Sequence, residues 1–398
     1  MDLIGVLRKF ALIIVFWPNY YAINATSVII AKYTCAIAVT DLKDSKYGII
    51  LEPKALKLKA PTKGVFNWKD KELIYIGCGN AIQTIQCSSK IKAQDFVCKE
   101  KPPIVNYIKT KQSCAQTGYL YKIGFTVKSD FIPYYDVCYN DKDCSVIYTN
   151  HQLLGGSFNK YGKVPRVEKE FTSFSCKINY HDLYTQENQR NNPRIKLTKD
   201  KYLQRGHLFP DRDAPVYTWK LATYLYGNCA PEWSTINSRG NWYKLEEMVS
   251  EFAIDKTKTF DIYDGVLYNP FQKNKIYLNQ AGAKIEVPQW FWKVVINRNK
   301  GVVPGLAGRN VEEEMIFFVY NDPYSSPADT FCVQNKNNNN MNNCENYSWH
   351  FDDDVVRGKT HCCLHKDLKR GTLPKEVMDA FGSNMNGLYY LDKRPRNG

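Results

Sequence analysis

The chain has 398 residues, 44% of them hydrophobic and 14% aromatic, which supplies a large core and excludes wholesale disorder. Lys and Arg number 54 against 40 Asp and Glu, a net charge of +14, so the surface favours polyanions such as nucleic acid, acidic glycans or anionic membrane, and an acidic substrate protein is a weaker fit. One large domain or two unequal ones are expected at this length.

At the N-terminus, Arg8 and Lys9 precede an apolar run from Phe10 to Trp17, and the small residues Ala22 and Ala25 follow. This is the layout of a secretory signal peptide, assigned to residues 1–25. The run is broken by Pro18, Asn19 and Tyr20, too soon for a transmembrane helix of roughly 20 apolar residues. No later segment is long and apolar enough to span a bilayer, so the reading is a secreted protein with no membrane partner. Thirteen cysteines fit an oxidising compartment and read first as disulfides, with at least one thiol left over. The cluster His361-Cys362-Cys363-Leu364-His365 lacks the two-residue spacer of ordinary zinc sites, which favours disulfides there too.

Seven cysteines fall between Cys35 and Cys144, among short β-like runs such as Leu73–Ile76 and Tyr119–Val127, so residues 26–150 read as a cysteine-rich β module. From there to residue 398 the elements lengthen. Leu245, Met248, Val249 and Phe252 lie at i, i+3, i+4 and i+7, one face of a helix. Strands are expected at Phe260–Tyr268, Phe291–Asn297 and Met315–Tyr320, the aromatic run Trp290-Phe291-Trp292 being core by its alternation. Asn335–Asn343 reads as an exposed Asn-rich loop; Asn346-Tyr347-Ser348 and Asn24-Ala25-Thr26 are glycosylation sequons.

The informative stretch begins at Arg190. Arg190, Arg194, Lys196, Lys199, Lys201 and Arg205 stand against Asp200 alone. Such a run is usually a solvated face, but here it leads into Gln204-Arg205-Gly206-His207 in a chain with six histidines. Histidine is the side chain best suited to take a proton near neutral pH, and Arg205 places fixed positive charge beside it, as phosphoryl transfer requires. Asn228, Asn237, Glu246 and Glu247 follow around the amphipathic helix. Asp211 and Asp213 after Pro210 fit a turn as well as a metal, and nothing couples His181 to the motif.

Gln204-Arg205-Gly206-His207 resembles the Asp-Arg-Gly-His motif of the DNA/RNA non-specific endonucleases, the ββα-metal nucleases. Asn228 through Pro231-Glu232 to Asn237 resembles that family's Asn-x-x-Pro-Gln…Asn segment, and Gly240-Asn241-Trp242…Leu245-Glu246 its following helix. Val287–Val295 and the tail from Cys332 through Leu373-Pro374 are similar to the secreted insect branch, in particular the salivary nuclease-like proteins of blood-feeding flies, the tsetse group above all. The resemblance implies an α+β fold: a ββα-metal nuclease domain over residues 151–398, with mixed or antiparallel sheet and helices, preceded by the small disulfide-rich β module. It implies His207 as general base, Asn237 as the direct ligand of one Mg²⁺ (replaceable by Mn²⁺), Arg205 on phosphate, and Asn228 and Glu246 orienting metal-bound water. Arg190, Arg194, Lys196, Lys199 and Lys201 become the backbone contacts to DNA or RNA, single- or double-stranded, and saliva the expected compartment.

Two departures bear on activity. The motif's leading Asp is Gln204 here, and Trp242 stands five residues after Asn237 where the family has four. On one continuous helix the extra residue would turn Asn237 or Glu246 by about 100°. Both departures adjoin the metal, so the sequence favours a nucleic-acid-binding protein with weak hydrolysis. A fully active enzyme and a basic glycan-binding protein with a relic motif are the alternatives.

Overall fold

The computed structural model describes residues 35–53, 55–158, 164–168, 170–268, 275–297, 314–327, 331–332, 344–347 and 349–381. The signal peptide, the first sequon, the Asn-rich stretch 335–343 and the Asn346 side chain with Ser348 lie outside them.

The fold is α+β. Eight strands form one antiparallel sheet in the order Thr360–Leu364, Glu314–Tyr320, Trp290–Asn297, Thr259–Leu267, Ser145–Leu154, Asp130–Asn140, Gly118–Val127, Ile104–Cys114. The expected strands are thus present, each within a residue or two. Trp290–Asn297 is buried at every position because both faces of the sheet are covered. Phe291 and Val295 join the main core beneath the long helix Asn241–Lys256, whereas Trp290, Trp292, Val294 and Ile296 join a second core closed by the C-terminal segment. That helix buries Trp242, Leu245, Val249 and Ala253, while Met248 and Phe252 are half-buried.

The expected break at 150/151 falls inside the strand Ser145–Leu154, whose His151 lies opposite Ile262 of the next strand. The hairpins from Ile104 onward are therefore continuous with the large sheet. Two small sheets precede it: Cys35–Ala38 with Val65–Trp68, and Ile49–Leu51, Leu73–Gly77, Ile82–Gln86. They are stapled by Cys35–Cys87 and Cys78–Cys98.

Four further disulfides, Cys114–Cys138, Cys144–Cys176, Cys332–Cys363 and Cys344–Cys362, leave Cys229 as the free thiol. The adjacent Cys362 and Cys363 serve different partners because consecutive strand residues point to opposite faces. Burial pushes the Cys229 thiol up to about 12, so it is protonated and inert in the folded chain. A thiol reagent at pH 8 should modify one cysteine per chain only after denaturation; rapid reaction of the native protein would contradict the burial. Among the described residues no helix is long and apolar enough to cross a membrane.

Candidate active site

The motif segments form an antiparallel ribbon, Leu203–His207 against Cys229–Trp233, packed on the main sheet. The register sets Gln204 opposite Glu232 and His207 opposite Cys229. Gly206 is a requirement of packing: a Cβ there would collide with the Cβ and Oε2 of Glu232. Gly206→Ala should therefore cost about 1–3 kcal/mol as an overpacked site, read as a lowered Tm; an unchanged Tm would mean Glu232 moves freely.

The ribbon runs into a short helix, Ser234–Asn237, and then the long one. Between them Ser238 and Arg239 form a turn that ends at Gly240, where a Cβ would strike the carbonyls of Thr235 and Arg357. Asn237 and Trp242 therefore lie on different helices, and no continuous helix transmits a rotation from one to the other. Trp242 Nε1 donates to the His207 carbonyl at 3.2 Å, tying the long helix to the end of the motif strand. Asn237 is tied to the same strand: its Nδ2 donates to Gln204 Oε1 at 3.0 Å, and Ser238 Oγ donates to that oxygen at 2.6 Å.

His207 packs between Phe171 and Tyr224, ring centroids 4.9 and 5.0 Å away. Its Nε2 is enclosed and has no hydrogen-bond partner. Desolvation lowers the imidazole pKa to about 4, with Asp211 pulling it up and Arg166 adding to the depression. The ring is therefore neutral at pH 7, the protonation state of a base. Arg205 lies among Tyr184, Tyr226 and Phe171 at 5.3–5.8 Å, and its Nε donates to Tyr226 Oη at 3.1 Å. A guanidinium held by aromatic faces is pre-oriented for a planar anion.

The family model for DNA/RNA non-specific endonucleases matches residues 116–357, more than half of the chain. A salivary endonuclease of Culex quinquefasciatus is 39% identical over 93% of this chain and 98% of its own length. A salivary endonuclease of Lutzomyia longipalpis is 29% identical over 76% of this chain and 73% of its own. The salivary protein Tsal2A of Glossina morsitans morsitans is 28% identical over 86% and 92%. The chain belongs to the DNA/RNA non-specific endonuclease family. Its membership of the secreted insect branch, with the tsetse proteins among its relatives, agrees with the resemblance carried by the motif.

Within this endonuclease scaffold the remaining motif residues divide. Where the sequence assigns Asn228 to metal-bound water, its amide is fully buried and committed to backbone: Oδ1 accepts from Phe209 N at 2.9 Å, and Nδ2 donates to Phe209 O at 2.9 Å and Thr223 O at 2.8 Å. It clamps the loop that follows His207. Glu246 stays on the site side of the long helix, its carboxyl pushed up to about 8 by burial against the pull of Lys293 and Arg212. Asp213 turns into the core against His151, and Asp211 accepts from Tyr224 Oη at 3.0 Å. Arg190, Arg194, Lys196 and Lys199 are exposed along the segment before the ribbon. Lys201 is half-buried, its ammonium 4.5 Å from the centre of the Tyr324 ring.

Sequence reasoning missed Arg166, whose Nε donates to Tyr224 Oη at 3.2 Å beside His207. It also missed Glu232, fully buried with neither oxygen hydrogen-bonded. Among the described residues no three His, Cys, Asp or Glu side chains gather as a ready-made metal cage. A hydrated Mg²⁺ held through one amide oxygen needs none, and the donors nearby are hard oxygens, so the residues present fit that ion.

Proposed function

We propose that this protein is a secreted salivary endonuclease that binds DNA and RNA through the phosphate backbone and hydrolyses phosphodiesters with Mg²⁺. The observation that carries this reading is the neutral His207 imidazole on a strand bonded both to Asn237, through Gln204, and to Trp242 of the long helix. His207 takes the proton of the attacking water. Arg205, with Arg166 nearby, binds the phosphate, and Asn237 offers its amide oxygen to the metal. The ion, when bound, supplies charge stabilisation at the phosphate and the leaving 3′ oxygen. The six disulfides and the salivary relatives support secretion.

Two features favour turnover: the break between the helices keeps the extra residue from rotating Glu246 against Asn237, and Gln204 holds Asn237 by a hydrogen bond. Plasmid DNA and single-stranded RNA incubated with Mg²⁺ or EDTA decide the matter. Cleavage of both that needs Mg²⁺ is the expected result. Tight, salt-sensitive binding with background cleavage would mean a sequestering scaffold, and equal preference for a sulfated glycan of matched charge density would mean a basic glycan binder.

The exposed cations make a further testable point. Lys199→Ala and Arg190→Ala should weaken binding uniformly across sequences, each lowering the slope of log K against log salt by about one. Sequence-dependent loss would point to base contacts instead.

A further inference from the structure

We propose that Glu232 is the carboxylate of this site, standing on the second ribbon strand in place of the acid missing at position 204 and aligning the water shell of the cation held by Asn237. The inference rests on the metal-nuclease reading above.

The motif pattern that this chain resembles has an acid where Gln204 stands and an amide where Glu232 stands; here the two are exchanged. Gln204 and Glu232 are directly opposed in the antiparallel register, and opposed residues project from the same face of a ribbon. The exchange therefore moves a carboxylate by one strand spacing and keeps it on its face. Gln204 is well suited to the position it occupies: one carbonyl oxygen accepts from both Asn237 and Ser238, work that needs an acceptor and no charge.

Glu232 is otherwise hard to account for. A fully buried carboxyl with both oxygens unbonded is unfavourable, and such groups are nearly always paired. Its side chain lies against the backbone of Gly206, between Arg205 and His207, and it feels the charge of Glu246 on the long helix. Two acids, one on the ribbon and one on the helix, are thus coupled, each held toward its neutral form by burial. The other acids beneath the helix already face cations, Asp213 with His151, Asp264 with Lys293, and Glu246 with Lys293 and Arg212, which leaves Glu232 as the acid with no counter-charge.

The test compares the native chain with Glu232→Gln, Gln204→Asp and the double variant Gln204→Asp/Glu232→Gln. Mg²⁺ binding is measured by calorimetry on the full secreted chain, alongside cleavage and Tm. Glu232→Gln is isosteric and should fold, and Mg²⁺ affinity should fall by about 10- to 100-fold. The double variant, with the acid returned to the first strand, should recover most of it. Native affinity in Glu232→Gln, or no recovery in the double variant, would overturn the proposal even with an active native enzyme. A native chain that neither binds Mg²⁺ nor cleaves would bring down the nuclease reading itself, and the proposal with it.

Discussion

His207→Ala is expected to lower Mg²⁺-dependent cleavage by about 10²–10⁴-fold, the range that a positioned general base supplies, while salt-sensitive binding to nucleic acid persists. The two effects separate because the neutral ring contributes a lone pair, whereas binding rests on cations distributed along the chain before the ribbon. Alanine leaves Phe171 and Tyr224 facing a gap, so binding affinity and circular dichroism serve as the folding controls. Cleavage within tenfold of native in a folded variant would remove His207 from the role of base. The pH dependence adds a second signature. With its pKa depressed to about 4, His207 is a competent base from pH 5 upward, and its limb in kcat/KM should appear only as pH falls toward about 4. The sign for stability follows. The unfolded chain takes up the proton more readily, so the native state loses stability as pH falls from the ordinary histidine value of about 6.5 toward about 4. An acid limb centred near pH 6.5 that disappears in His207→Ala would show that the working site is wetter than its packing implies.

How much of this was legible beforehand depends on whether the decisive relation is local. Gln204 to His207 is one contiguous strand, so its composition and the nine-residue spacing from Asn228 to Asn237 carried the ribbon and its chief residues. The alternation in Trp290–Asn297 and the helical spacing of Leu245, Val249 and their neighbours likewise carried elements of the core. The effect of the added residue was not legible, because spacing alone assumes one helix; the turn at Ser238–Gly240 depends on a close approach by the Arg357 carbonyl from a remote segment. Asn228 has the right position for the motif, yet its amide faces Phe209 and Thr223, an orientation set by loop packing. Glu232 read as one more polar residue until the register placed it opposite Gln204. The break expected at residue 150 followed cysteine density, which marks where the chain is stapled and not where a sheet ends; Ser145–Leu154 pairs across it. Lys293 was hidden most completely, a single cation within an apolar run whose partners come from other strands and from the motif loop.

Lys293→Met is expected to destabilise the fold by about 3–5 kcal/mol, the penalty for removing one member of a buried ion pair. Lys293 is fully buried and directly opposite Asp264 on the neighbouring strand, with its ammonium on the Asp264 carboxylate. His151 lies between Asp264 and Asp213, at 3.7 and 3.2 Å, and is stacked on Phe209 with ring centroids 3.8 Å apart. Phe209 is the residue clamped by Asn228, so the network reaches from the sheet to the loop just after His207. Lys293 also holds Glu246 from below and sits 5.4 Å from the Trp242 ring centre. Without it, Asp264 and Asp213 remain in a dry core with only His151 between them, and half-buried Glu246 keeps Arg212 alone. The cheapest relief is protonation or local opening, and both loosen the floor of the site. Thermal unfolding should show the loss as a Tm lowered by several degrees, and Asp264→Asn/Lys293→Met should recover part of it, since removing both charges leaves no orphan. Cleavage by Lys293→Met should fall even well below its Tm, because the helix that carries Trp242 and Glu246 rests on this network. A variant with native Tm would mean that Asp264 does without Lys293 at no cost, and the electrostatic account of the sheet-to-site coupling would fail with it.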